Sequence, residues 1–281
     1  MNLLHVFILA LIQGIAELLP VSSSAHVILA EKLMGLDPSS PEMTFLLVML
    51  HTGTMFAVIV YFWQSWRTSY FSSWRTFRDN LAFVLFATAI TGVIGLALLY
   101  IIKHVFFSNS PSFEIEHLFN NSKLMATALA ASGVLIIASS RMQGSEDKPL
   151  SIRRSLIIGA VQALCLPFRG FSRSGATIST GLFLGISRKK AEEFSFALAV
   201  VLTPAVIAKE FHRLYTAYHA APVAPSTDFT SLVAPSLFGM VCSFLAGLLA
   251  LRWLSSWLDN GRWYLFGGYC LVFSVVVLVL T

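Results

Sequence analysis

Twice along this chain a long apolar run is broken by a short polar cluster of one kind, and that repetition limits the folds open to it. The first cluster reads Gln13-Gly14-Ile15-Ala16-Glu17-Leu18-Leu19-Pro20-Val21-Ser22-Ser23-Ser24-Ala25-His26. The second reads Gln162-Ala163-Leu164-Cys165-Leu166-Pro167-Phe168-Arg169-Gly170-Phe171-Ser172-Arg173-Ser174-Gly175-Ala176-Thr177. Each joins a glutamine, a helix-breaking proline and a run of serines, with ten residues from Gln13 to Ser23 and ten from Gln162 to Ser172. The rest is overwhelmingly apolar: 56% of the 281 residues are hydrophobic and only 12% are charged. A soluble domain carries about 25% charged residues. Ionisable groups at membrane depth are costly, so Glu17, His26 and Arg173 mark a functional site.

The apolar pattern predicts six spans, near 43–63, 81–102, 123–140, 191–211, 231–254 and 263–280. Each approaches the roughly 20 residues that a crossing needs. Four shorter pieces, 3–19, 22–35, 152–166 and 174–186, end at a polar cluster and read as re-entrant half-helices. The expected order is one half-helix pair, three spans, a second pair and three more spans. Three spans reverse the side of the membrane, so the second unit lies inverted relative to the first. The expected fold is all-α: six transmembrane helices plus two pairs of re-entrant half-helices arranged as inverted repeats. The repeats cover roughly 1–140 and 150–281 within one integral membrane domain, 1–281. Phe45 and Phe194, and Ala57-Val58-Ile59 beside Ala205-Val206-Ile207, fit a duplication.

Loop charge predicts orientation. Twelve basic residues (Arg67, Arg75, Arg78, Arg141, Lys148, Arg153, Arg154, Arg188, Lys189, Lys190, Arg252 and Arg262) fall on one side, against five on the other. The positive-inside rule puts the twelve in the cytoplasm. The first cluster then enters from the outer face and the second from the cytoplasmic face. The net charge of +5 is spread over loops and forms no nucleic-acid stripe. Cys165, Cys242 and Cys270 lie in apolar segments without metal-ligand spacing. The N-terminus lacks a basic region, and Gln13 and Glu17 interrupt its apolar run, so a cleaved signal peptide is not expected. The stretch 220–230 reads as an exposed loop.

The clusters themselves predict an anion site. Pro20 ends one half-helix, and Ser22, Ser23 or Ser24 can cap its successor; Gly170 loosens the second turn, and Ser172 or Ser174 can cap the helix after it. Two helix N-termini then converge near the midplane with free N–H groups and positive dipole ends. Arg173 adds a guanidinium fork suited to phosphate, and Arg169 is a second nearby cation. Serine and threonine hydroxyls supply further donors. Glu17 would repel a phosphate unless a metal bridges them or the carboxylate moves protons, and its hard oxygens suit Mg²⁺ or Ca²⁺. His26 has a reference pKa near neutrality and is a candidate base, acid or nucleophile; Ser23 is a candidate nucleophile. His51, in His51-Thr52-Gly53-Thr54, fits a contact inside the bundle and a site wall equally well.

At these residues the chain resembles the bacitracin-resistance type of undecaprenyl-pyrophosphate phosphatase. The resemblance is carried by Gln13-Gly14 through Glu17, Leu19-Pro20-Val21-Ser22-Ser23-Ser24-Ala25-His26, by Gly170-Phe171-Ser172-Arg173-Ser174-Gly175-Ala176-Thr177, and by Glu193-Phe194-Ser195-Phe196. Gln13 stands where many relatives have Glu, and Phe168 and Arg169 split the family's Pro-Gly pair. The resemblance implies a phosphatase of polyprenyl pyrophosphate lipid in the bacterial inner membrane. It also implies a periplasm-facing site, a divalent cation (Mg²⁺ or Ca²⁺), and a link to carrier recycling for the cell wall and to bacitracin resistance. The expected catalytic set is Glu17, Ser23, His26 and Arg173, with Glu17 as metal ligand. The expected substrate contacts are Gln13, Ser22, Ser24, Ser172, Ser174, Gly175 and Thr177. The nucleophile is open between Ser23, His26 and water, and a homodimer is open as a partner state. The rival class is a transporter or flippase of a phosphorylated lipid, for which inverted repeats and broken helices are equally characteristic.

Overall fold

Polar caps decide where most of the helices begin. The computed structural model describes residues 2–37, 40–106, 121–142, 144, 148–220 and 229–280. Helix α1 (Leu3–Leu18) starts at Asn2, which accepts the Leu4 N–H, and stops just before Pro20. Helix α2 (Ser23–Leu33) begins after the break. Ser40 caps α3 (Pro41–Ser69) and Ser73 caps α4 (Trp74–Ile101), which runs on into a wider turn over Ile102–Phe106. Asn121 caps α5 (Ser122–Ser139), and Ser151 caps α6 (Ile152–Gln162), which tightens over Ala163–Cys165 before the second break. Ser172 caps α7 (Arg173–Phe183), and after it come α8 (Arg188–Ala220), α9 (Phe229–Asp259) and α10 (Trp263–Leu280). A cap oxygen satisfies N–H groups that the helix itself leaves without acceptors, which is why Ser and Asn recur here.

The described residues form helices joined by turns, so the all-α expectation holds. Among the described residues, five helical segments are long and apolar enough to cross a membrane: Met43–Ser69, Trp74–His104, Ser122–Ser139, Val233–Asp259 and Trp263–Leu280. Their outward faces carry exposed Val93, Leu96, Val272 and Val279, a surface that suits acyl chains better than water. The chain is a helical membrane protein. The segment expected at 191–211 lies inside the 33-residue α8, which carries Glu192, Glu193, Lys209 and Glu210 and contains Pro204. Charges expected in the loops 64–80 and 252–262 lie largely on helix, because α3, α4 and α9 extend beyond their apolar cores. The loop at 220–230 falls mostly outside the described residues.

The chief packing pairs are α3 with α9, α5 with α10, α1 with α9, α3 with α8, and α4 with α6. Small residues allow the close approaches, the usual device where lipid gives helices no hydrophobic reason to associate. A side chain at Gly53 would press on the Met240 carbonyl of α9, and one at Gly159 on the Ala87 carbonyl of α4. Hydroxyls then bridge the same seams: Ser243 donates to the Leu50 carbonyl at 2.9 Å, and Thr91 to the Gly159 carbonyl at 2.8 Å. Buried carboxylates stitch another. Glu193 of α8 accepts from Ser65 and Ser69 of α3, while Glu192 accepts from Ser255 of α9.

Gly53→Ala is expected to cost about 1–3 kcal/mol, since backbone rather than a flexible side chain blocks the new methyl. Gly92→Ala, with nothing within 4 Å of the added atom, is the neutral control. Thermal unfolding of the two purified variants in detergent checks the difference.

Candidate functional site

The two breaks meet. In the first, Ser22 takes φ +65°, a left-handed conformation that side chains other than glycine rarely adopt and that costs of order 1–3 kcal/mol. It occupies the cap position of α2 without a side-chain cap bond, so the first N–H groups of that helix are left without a hydroxyl acceptor from the cap residue. In the second, Gly170 takes φ +103°, and a Cβ there would collide with the Met125 carbonyl of α5. Ser172 then caps α7 through the Gly175 N–H, and its own N–H donates to Ser132 of α5 at 2.8 Å. These bonds fix the start of α7 and aim Arg173 back at α1.

Glu17 is where the halves join. Its Oε1 accepts from the Arg173 guanidinium at 2.9 Å. Its Oε2 accepts from the Ser23 hydroxyl at 2.5 Å and from the Gln13 amide at 3.3 Å. His51 Nε2 lies 4.0 Å from the same oxygen, while Nδ1 donates to the Leu47 carbonyl. Ser174 adds a further tie across the halves, donating to the Leu19 carbonyl at 3.3 Å. Side-chain exposure is 17% for Glu17 and 20% for Arg173, so each charge sits largely out of solvent and depends on the other. One guanidinium nitrogen, Nη1 of Arg173, is buried with no partner among the described residues. A buried, unpaired cationic N–H calls for an acceptor, and a phosphate oxygen suits it.

These groups line a cavity of about 260 Å³, with Ser22, Ser23, Ser24, Ser172 and Ser174 on its wall alongside Glu17 and Arg173. His51, Thr91, Gln162 and Thr203 complete its polar lining. Of these four, the sequence pattern points to His51 alone as a wall residue; Gln162 is legible only as a motif member, and the two threonines sit in apolar runs with no local signal. Four expected residues stand behind the wall. Gln13 is buried against Glu17. Gly175 packs beneath Ser172 and Ile136. Thr177 bonds the Arg173 carbonyl at 2.8 Å and the Ser195 hydroxyl at 2.6 Å, which assigns it to bracing α7 on α8. His26 turns from the polar cavity, bonding the Ser22 carbonyl at 2.8 Å and the Tyr269 hydroxyl at 2.7 Å. Arg169, the additional cation, interacts electrostatically with buried Glu31 of α2.

A second cavity, about 490 Å³ and almost wholly apolar, adjoins the first. Ala16 and Leu19 line both. Its other walls include Ile12, Ile15, Trp253, Trp257, Phe266 and Tyr269, from α1, α9 and α10.

The site thus joins a carboxylate, a guanidinium and serines in one polar cavity to an apolar chamber inside a helical membrane protein. The family model "Bacitracin resistance protein BacA" matches residues 6–276, and the chain belongs to that family. It is 72% identical over 280 residues to undecaprenyl-diphosphatase 2 of Acinetobacter baylyi, covering 100% of this chain and 98% of the relative. It is 34% identical to the undecaprenyl-diphosphatase of Mycolicibacterium smegmatis, covering 100% of this chain and 97% of the relative. It is 31% identical to that of Korarchaeum cryptofilum across the full length of both.

Removing one partner of a largely buried pair strands the other charge, so Arg173→Met is expected to destabilise the protein by about 3–5 kcal/mol. The double variant Glu17→Gln with Arg173→Met is expected to recover much of that loss. Detergent-solubilised thermal unfolding of Arg173→Met, Glu17→Gln and the double variant reads the sign of the coupling.

Proposed function

We propose that this chain hydrolyses undecaprenyl diphosphate to undecaprenyl phosphate and inorganic phosphate. The observation that carries the reading is the Ser23–Glu17–Arg173 chain of contacts, 2.5 Å and 2.9 Å, on the wall of one cavity. The names of the full-length relatives point to the same substrate.

The work is divided among a few residues. Arg173 has one nitrogen on Glu17 and another free to hold the diphosphate, so it clamps base and substrate together. The N-terminus of α2, lacking a side-chain cap, offers N–H groups to the same oxygens. Ser23 is the nucleophile. Its O–H points at Glu17, which takes the proton as Oγ attacks the terminal phosphorus and the bond to the bridging oxygen breaks. Undecaprenyl phosphate leaves as a stable anion. Water then attacks the phosphoserine, the P–Oγ bond breaks, and Glu17 returns the proton to Ser23. The geometry favours Ser23 over His26 because both ring nitrogens of His26 are already engaged. Transfer of this kind depends chiefly on alignment and charge stabilisation.

A divalent cation fits this donor set as a guest of the substrate. Both Glu17 oxygens already have partners, and among the described residues no group of three or more His, Cys, Asp or Glu could hold a metal. One carboxylate with substrate phosphates is a usual way to hold Mg²⁺. Glu17, with the Gln13 amide behind it, would hold the ion, which would supply charge neutralisation at the diphosphate. The apolar cavity next door takes the first isoprene units of the lipid, since its walls offer almost nothing to hydrogen-bond.

The topology we assign is six spans and two re-entrant pairs in inverted repeats. Exchanging α1–α5 with α6–α10 turns the α1–α9 contact into α6–α4, and α3–α9 into α8–α4. It leaves α3–α8 and α5–α10 unchanged, and all of these contacts exist. Three spans per unit make the repeats antiparallel. Loop charge then favours a site open to the periplasmic side of a bacterial plasma membrane.

Phosphate release by detergent-purified protein tests the reading, because hydrolysis needs no second compartment and transport does. Release is expected from the native chain and should fall by at least about a thousand-fold in Glu17→Gln, the scale of losing both a general base and the partner of Arg173. Full turnover in that variant, or none in the native chain, contradicts it.

A further inference from the structure

Tyr269 has no part in the proposed reaction, and it lies on α10, far from either polar cluster in sequence. Its hydroxyl nevertheless reaches His26 Nε2 at 2.7 Å, and the two rings stack with centroids 5.7 Å apart and planes 9° from parallel. Phe273, one turn on, stacks on the His26 ring at 3.9 Å and 5°. The imidazole is held in one plane by α10.

The bonds fix its proton as well. The Ser22 carbonyl has no hydrogen to give, so His26 Nδ1 must donate to it. In the neutral ring Nε2 then carries the lone pair, and the Tyr269 O–H donates into it. The carbonyl at the other end belongs to Ser22, whose φ of +65° is the strained step that turns the chain into α2 and brings Ser23 to Glu17. Nothing from the Ser22 side chain caps the helix there. Strained backbone persists only where its surroundings over-determine it, and the His26 ring is the side chain bonded to this one.

We propose that Tyr269 is a positioning residue: by fixing the plane and tautomer of His26, it holds the Ser22 carbonyl and so keeps the Ser23 hydroxyl aligned on Glu17. This rests on the reading of Ser23 as nucleophile and adds to it a relay from the last helix. Neither Tyr269 nor His26 lines the polar cavity that takes the diphosphate, so the effect belongs on the rate of the chemical step rather than on binding of the head group.

Steady-state phosphate release from undecaprenyl diphosphate in detergent micelles is compared for the native chain, Tyr269→Phe, His26→Ala and the double variant. Tyr269→Phe keeps the ring and its stacking and removes only the hydroxyl. It is expected to lower kcat about ten-fold with KM within about two-fold, the scale of a sub-ångström misalignment. The double variant should be no slower than His26→Ala alone, because both act through one path. A kcat within two-fold of native, a rise in KM in place of the fall, or losses that multiply would each overturn the proposal. Nitrogen NMR of histidine-labelled protein, with the His26 signal assigned by its loss in His26→Ala, reads the relay without turnover. The native ring is expected as the Nδ1–H tautomer, with the Nε2 signal moving in Tyr269→Phe. An unmoved signal overturns the relay. Native protein that shows the shift but releases no phosphate instead points to failure of the phosphatase reading.

Discussion

A carboxylate and a guanidinium, each largely withdrawn from solvent, are joined between the two halves of the molecule at 2.9 Å, and the rest of the site is arranged around them. Neither charge is tolerable there alone. Their pairing requires two chain breaks separated by about 150 residues to converge on one point. Each break has its own means of getting there. The first uses a strained serine at φ +65°, the second a glycine at φ +103° that lets α7 start against α5. Glu17 also accepts a hydrogen bond from Ser23, so in the proposed reaction the contact that joins the halves also activates the nucleophile. Stability and chemistry therefore draw on the same group, and substitutions at Glu17 or Arg173 will move both.

Much of this was legible in the residues. The two clusters announced themselves by composition, and Glu17, Ser23 and Arg173 meet as their chemistry required. Helix starts were readable where Ser or Asn precedes an apolar run, as at Ser172. Side-chain direction was not readable. Thr177 and Gly175 share a motif with Arg173 yet face into the protein, because α7 is buried around most of its circumference. His26 lies three residues past Ser23 and points instead at α10. The positions of Thr91 and Thr203 on the cavity wall come from packing between distant helices, which leaves no trace in local pattern. Helix ends were also underestimated. Hydropathy marks the apolar core of α3 or α9, whereas the helix itself continues into its charged flanks.

The paired cavities give the molecule its direction of use. A polar chamber of about 260 Å³ shares two wall residues with an apolar one of about 490 Å³. A head group with four or more phosphate oxygens and a long hydrocarbon chain divides across that boundary without burying polar atoms in the apolar half. His26 and Tyr269 line the apolar chamber, and His26 bonds the Ser22 carbonyl of the polar one, so the proposed relay runs through the wall between the two.

Mass spectrometry of protein quenched during turnover tests the central claim most directly. A phosphoryl group on the peptide that contains Ser22, Ser23 and Ser24, located to Ser23 by fragmentation and absent from Ser23→Ala, is the predicted result. Phosphohistidine at His26, or sustained turnover by Ser23→Ala with no phosphorylated protein at any quench time, would contradict the account and give the attack to another group.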